Sequence, residues 1–121
     1  PANASHPILR GVKDVFGPSD VYTVANLNPE ATILLRGAVT ATLAPDSPNI
    51  DGPKNNPMMP LAWVRTYQVP GGKTGRAFTS TMGASVDLLS EDLRRLVVNA
   101  TYHLLNLDVP ARADVRVVDP Y

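Results

Sequence analysis

The chain has 121 residues, room for one small domain. Its 11 basic and 11 acidic residues cancel and are spread along the chain, so there is no electrostatic footprint for nucleic acid, and no apolar run of about 18 residues offers a membrane span. Cys is absent, which excludes disulfides, thiol nucleophiles and thiolate metal sites and leaves the compartment undecided.

Residues 1–5 are small and polar and read as a linker or a severed connection. No signal peptide is visible, yet the chain begins with Pro1 rather than Met. A preceding segment is therefore expected, and a periplasmic or secreted location stays open. His6–Val12 reads as a short extended piece ended by Gly11, and Gly17-Pro18-Ser19-Asp20 as a turn. Val21–Val24 alternates like a strand. Ala31–Gly37 is β-branched and apolar, as a buried strand should be, with a continuation through Ala38–Leu43. Residues 44–60 are rich in Pro, Asn, Asp and Gly and predict a long loop, either functional or mobile.

Residues 61–68 and 74–81 alternate on either side of Pro70-Gly71-Gly72-Lys73, which predicts an antiparallel hairpin with Trp63 largely buried. Ser90 is a good N-cap, and Glu91 and Asp92 suit the positive end of a helix dipole. Leu93, Leu96, Val97, Ala100, Leu104 and Leu107 recur at helical spacing as a buried stripe, with Pro110 as the stop. Residues 109–121 read as a docked tail with one short extended segment.

Several residue groups carry potential chemistry. Trp63, Arg65 and Tyr67 share one strand face, where aromatics beside a guanidinium make either a planar-ligand platform or strand packing. Arg76 fits a structural salt bridge to a carboxylate across the hairpin. Thr79, Ser80, Thr81, Met82 and Gly83 leave the second hairpin strand with hydroxyls and free amides, a place suited to an anion or a sugar hydroxyl. Asp87 is the nearest carboxylate, able to act as acid or base only beside a partner carboxylate. Asp20 and Tyr22 form a second candidate pair. His6 could bind a ligand or anchor its segment by a hydrogen bond, and His103 reads as a structural or surface residue. Two histidines far apart in sequence and no Cys give none of the familiar metal-ligand spacings, so neither a metal nor another cofactor is expected.

Taken in order, His6-Pro7-Ile8 with Gly11, Asp20-Val21-Tyr22, Leu34-Leu35, Pro60-x-Ala62-Trp63-x-Arg65-x-Tyr67 and Gly75-Arg76-x-Phe78-x-x-Thr81-x-Gly83, closed by a helix over 90–106, resemble the C-terminal half of the ThuA-like, trehalose-utilisation family. The Thr-Met-Gly-Ala loop is closest to a subgroup common in planctomycete-type bacteria. The resemblance implies an α/β fold: the C-terminal part of a flavodoxin-like sheet, as in class I glutamine amidotransferases, with an antiparallel hairpin and a closing helix. Residues 1–108 would be half of such a domain. Amidotransferase chemistry is not implied, because there is no Cys nucleophile and Ala84 stands where most of the family has His.

What the resemblance implies is a domain that binds or processes a carbohydrate or related small polyol. The ligand would touch Thr81, Met82 or Gly83, with His6 and Asp20 approaching. The alternative is a non-catalytic binding or assembly module, self-associating or partnered with a redox or sugar-oxidising system. Whether the chain catalyses anything is not decided by its residues.

Overall fold

The computed structural model of the chain describes residues 3–119. It is a mixed α/β structure with a three-stranded antiparallel sheet in the order β1-β2-β3 and one α-helix. The strands are β1 (Thr32–Gly37), β2 (Met59–Gln68) and β3 (Thr74–Ser80), and the helix α1 is Glu91–Leu104. No helix among the described residues is long and apolar enough to cross a membrane.

The hairpin forms as its turn chemistry dictates. Gly71 takes φ +73°, which glycine adopts without penalty, and β2 pairs with β3 from Gln68↔Thr74 to Ala62↔Ser80 without a slip. At Gly75, an added Cβ would meet the Tyr67 ring at 2.6 Å, so the glycine lets the aromatic lie across the opposite strand. The β1–β2 ladder is less regular. Its register shifts on either side of Leu35, close to Pro60, which has no N–H to give the ladder from the central strand.

The core lies where α1 meets the sheet. Ile8, Leu34, Leu61, Ala62, Leu93, Leu96 and Ala100 are buried together, with Val64 and Phe78 packed against them from paired positions on β2 and β3. Trp63 is of intermediate burial, and it lies outside this cluster. The reason is the alternation of the strand. Val64 faces the helix, so Trp63, Arg65 and Tyr67 face the other way, where no helix lies among the described residues.

Other expectations change for local reasons. His6–Val12 is not extended but holds a 3-10 turn at Pro7–Leu9, started by the fixed φ of Pro7 and capped by His6. Val21–Val24 forms no strand, and after Gly37 the chain leaves the sheet with only the isolated pairing Thr40↔Asn49. The loop that follows is ordered by its own bonds. Asn55 donates to the carbonyls of Val39 and Ile50 and accepts from the Val39 N–H. The helix does begin at Ser90, whose Oγ accepts from the Leu93 N–H. It ends well before Pro110: Asn106 takes φ 57°, the Leu107 N–H returns to the Tyr102 carbonyl and the Asn106 N–H to that of His103, which together make a Schellman stop. Leu107 thus falls outside the stripe, and Val97 is 41% exposed. The described part of the tail contains no strand, although Val109, Ala113 and Val115 are buried; its last residues, Pro120 and Tyr121, and the first residues, Pro1 and Ala2, lie outside the described residues.

Much of the chain is irregular backbone held by side chains of α1. Asn99, fully buried, donates from Nδ2 to the carbonyls of Ile8 at 2.9 Å and Arg10 at 2.8 Å. Replacing Asn99 with Ala strands two carbonyls in the interior. Asn99→Ala should therefore lower the unfolding free energy by about 2–3 kcal/mol in urea melts. A loss under about 0.5 kcal/mol would show that the two bonds contribute nothing net.

Candidate functional site

A groove of about 470 Å³ opens beside the edge strand β1. Three segments build it: residues 14–21, the end of β1 with the start of the following loop, and Met82 with Leu61. Each is positioned by an identifiable contact.

Asp87 holds the first segment. It sits in a 3-10 turn, Ser85–Leu89, just before α1, and is fully buried with no cation beside it. Its Oδ2 accepts from the Ser19 hydroxyl at 2.8 Å and from the N–H groups of Gly83 and Ala84, each at 3.1 Å; Oδ1 accepts from the Ser19 N–H at 3.3 Å. Burial pushes the carboxyl up, but the bonds from Ser19, Gly83 and Ala84 together outweigh burial and hold it below the usual carboxylate range. Gly17 passes over this carboxylate so closely that a Cβ there would stand 2.5 Å from Oδ1 and collide with the Met82 methyl. The amides of Gly83 and Ala84 are thus already occupied by an internal anion, which corrects the expectation of free amides in this loop.

The second wall comes from the loop after β1. Thr40 and Asn49 pair across it, and Thr42 N–H donates to the Ser47 hydroxyl at 2.9 Å, so the groove side of the loop is fixed. Arg36 lines the groove from β1 and donates from Nη1 to the Met58 carbonyl at 2.9 Å. Leu35, Leu61, Val21 and Met82 give the groove an apolar floor. Asp14, Asp20 and Asn49 line it, and their side chains make no hydrogen bond among the described residues.

The structure gathers only part of what the sequence suggested. Asp20 and Met82 meet in the groove, with Asp87 directly behind its wall. Thr81 extends the hairpin instead, its N–H donating to the Leu61 carbonyl at 2.9 Å. Gly83 serves Asp87. Tyr22 is 56% exposed and does not line the groove. Trp63, Arg65 and Thr79 lie together on the uncovered sheet face, where Trp63 is paired with Thr79. Arg76 finds no carboxylate. Its Nη2 donates to the carbonyls of His103 at 2.8 Å and Leu104 at 3.2 Å, and to Asn106 Oδ1, so it caps the negative end of α1. His6 lies away from the groove. Its ring centroid is 4.9 Å from that of His103, so two residues distant in sequence are neighbours in space. No group of three or more His, Cys, Asp or Glu among the described residues could hold a metal ion.

Of the second wall, residues 44–49 fall in the long loop expected over 44–60, whereas 38–43 were expected to continue the strand; no motif marks Thr40 or Asn49. No family model matches the chain, and no curated protein or solved structure is significantly similar to it.

Asp87 has a depressed carboxyl, so its stabilisation is present above the unfolded value, about 3.9, and is lost as the pH falls through the folded one. Asp87→Asn presents an amide N–H to groups that are themselves donors. It should cost about 2–3 kcal/mol at neutral pH and flatten the loss of stability below about pH 4. Denaturant midpoints from pH 7 to 3 for both proteins check this, and an unchanged acid limb in the variant would assign that limb to other carboxylates.

Proposed function

We propose that this chain is a ThuA-like domain that binds a carbohydrate or related small polyol in the groove beside β1, without amidotransferase chemistry. On this reading the antiparallel sheet is the C-terminal part of a flavodoxin-like sheet. The lining of the groove is the observation that carries the binding reading. Asp14, Asp20 and Asn49 offer open carboxylate and amide groups, which accept from or donate to hydroxyls, above an apolar floor that suits the C–H face of a sugar ring. The volume lies within the range of about 300–1,000 Å³ usual for small-ligand clefts.

The same lining argues for binding rather than catalysis. A hydrolytic pair needs two carboxylates held in distinct environments, one of them kept protonated. Asp14 and Asp20 are both exposed. The buried carboxylate, Asp87, has its oxygens engaged by Ser19, Gly83 and Ala84. The second reading, an assembly module, is favoured by one feature: Leu89, Val97 and Leu105 lie 57%, 41% and 63% exposed in and around α1.

Thermal-shift and calorimetric titration against a panel of mono- and disaccharides and linear polyols separates the two. Binding by at least one member, weakened about tenfold or more by Asp20→Ala, is the expected result; losing one hydrogen-bonded charged contact is worth about that much. A flat response to the whole panel, together with a concentration-dependent rise in mass by light scattering, would favour the assembly reading.

A further inference from the structure

We propose that His6, His103 and Arg76 form an acid-sensitive latch, which holds the N-terminal segment against the end of α1 at neutral pH and releases it on acidification. The geometry places each imidazole with a lone pair facing a group that can only donate. The Ile8 N–H donates to His6 Nδ1 at 3.2 Å, as the cap of the Pro7–Leu9 turn. That bond exists only while Nδ1 is bare, so the neutral ring carries its proton on Nε2. Arg76 Nη1 stands 3.5 Å from His103 Nε2, and a guanidinium has no lone pair to offer. Nε2 is therefore bare as well. The next proton to bind either ring must take the very atom that faces the donor.

Charge acts in the same direction. The rings are 4.9 Å apart, so protonating both sets two cations in contact beside Arg76. Arg76 cannot withdraw, because its Nη2 is engaged by the end of the helix and by Asn106. The helix terminus would ordinarily favour a cation at His103, but Arg76 already holds the carbonyls of His103 and Leu104. The charged neighbour that bears on His6 is His103, and the one that bears on His103 is Arg76; among the described residues no carboxylate bears on either ring. Burial first, and these neighbours second, hold both imidazoles below the ordinary value near 6.5. The sign follows from the direction. The unfolded or opened chain binds protons before the closed one does, so closure is fully favoured above about pH 6.5 and weakens as the pH falls below it.

What opens is defined by bonds. The Ile8 N–H donates to His6 Nδ1 at 3.2 Å and the Leu9 N–H to the His6 carbonyl at 2.8 Å, both within the turn that His6 caps. The next pins along the segment are Asn99, at the carbonyls of Ile8 and Arg10, and Asp92, at the N–H groups of Lys13 and Asp14, so release at His6 stops short of the groove wall.

Amide hydrogen exchange of the whole chain tests this, corrected for the intrinsic pH dependence of exchange. Protection at Ile8 and Leu9 should fall about tenfold or more between roughly pH 7.5 and 5.5 while the β2–β3 hairpin stays protected. In the double variant His6→Asn with His103→Gln the drop should vanish, because Asn keeps an oxygen for the Ile8 N–H, Gln keeps one for Arg76, and neither titrates. Constant protection in the wild type, or an equal drop in the double variant, overturns the latch. Should the double variant fail to fold, ring titration of the wild type by NMR decides: two midpoints below about 6.5 support it, and either midpoint at or above that value overturns it.

Discussion

Irregular backbone still has to satisfy its N–H and C=O groups once it is buried, and in this chain the side chains of one helix do much of that work. Asn99 binds the carbonyls of Ile8 and Arg10. Asp92 Oδ2 accepts from the N–H groups of Lys13 and Asp14, both at 2.8 Å. Arg94 donates to the Val115, Leu88 and Leu89 carbonyls, and Arg95 to that of Ala113. The N-terminal segment, the turn before α1 and the tail therefore all take their positions from consecutive turns of the helix. This explains why polar side chains share the inward face with Leu93 and Leu96. Arg95 is 2% exposed, a burial tolerable for a guanidinium only because Glu91 and Asp92 lie one turn back to neutralise it.

Asp87 extends the scheme beyond the helix and shapes what the groove can accept. A carboxylate held by two loop amides and a serine is the arrangement by which proteins commonly bind anionic ligands, here completed from within. Asp14 and Asp20 are the carboxylates that line the groove itself. Arg36 is the one cation lining the groove among the described residues, and part of its guanidinium is engaged by Met58. The local balance thus disfavours an anion and is compatible with the proposed neutral, hydroxyl-bearing ligand.

Features set by local chemistry were legible in the sequence. The hairpin follows from alternation around Pro70-Gly71-Gly72-Lys73, and the start of α1 follows from Ser90. Features set by distant contacts were not. Val21–Val24 alternates as a strand would, yet it pairs with no strand, and only Val21 of it lines the groove. Trp63 is the largest apolar side chain of the hairpin, and size suggested burial. Which strand face receives the helix is a tertiary outcome, and it went to Ala62 and Val64. The approach of His6 to His103 joins residues with no shared motif or period. For the site, Asp20 and Met82 could be picked out singly, whereas Thr40 and Asn49 depend on how a Pro-rich loop closes on itself through Asn55.

The path from residue 6 to residue 20 shows how these pins couple. It contains one short turn and is otherwise held at discrete points: His6 against His103, Ile8 and Arg10 by Asn99, Lys13 and Asp14 by Asp92, and Ser19 by Asp87. A strand in a ladder resists opening cooperatively along its length, but a segment held at points opens between them. Loss of one pin therefore frees the stretch up to the next and leaves the sheet intact. The pins also titrate at different ends of the scale. Those at Asp92 and Asp87 are carboxylates held below their usual range, whereas the proposed imidazole pin weakens as the pH falls below about 6.5. Acid should consequently loosen the segment from its N-terminal end inward, reaching the groove wall at Ser19 only after Asp92 yields.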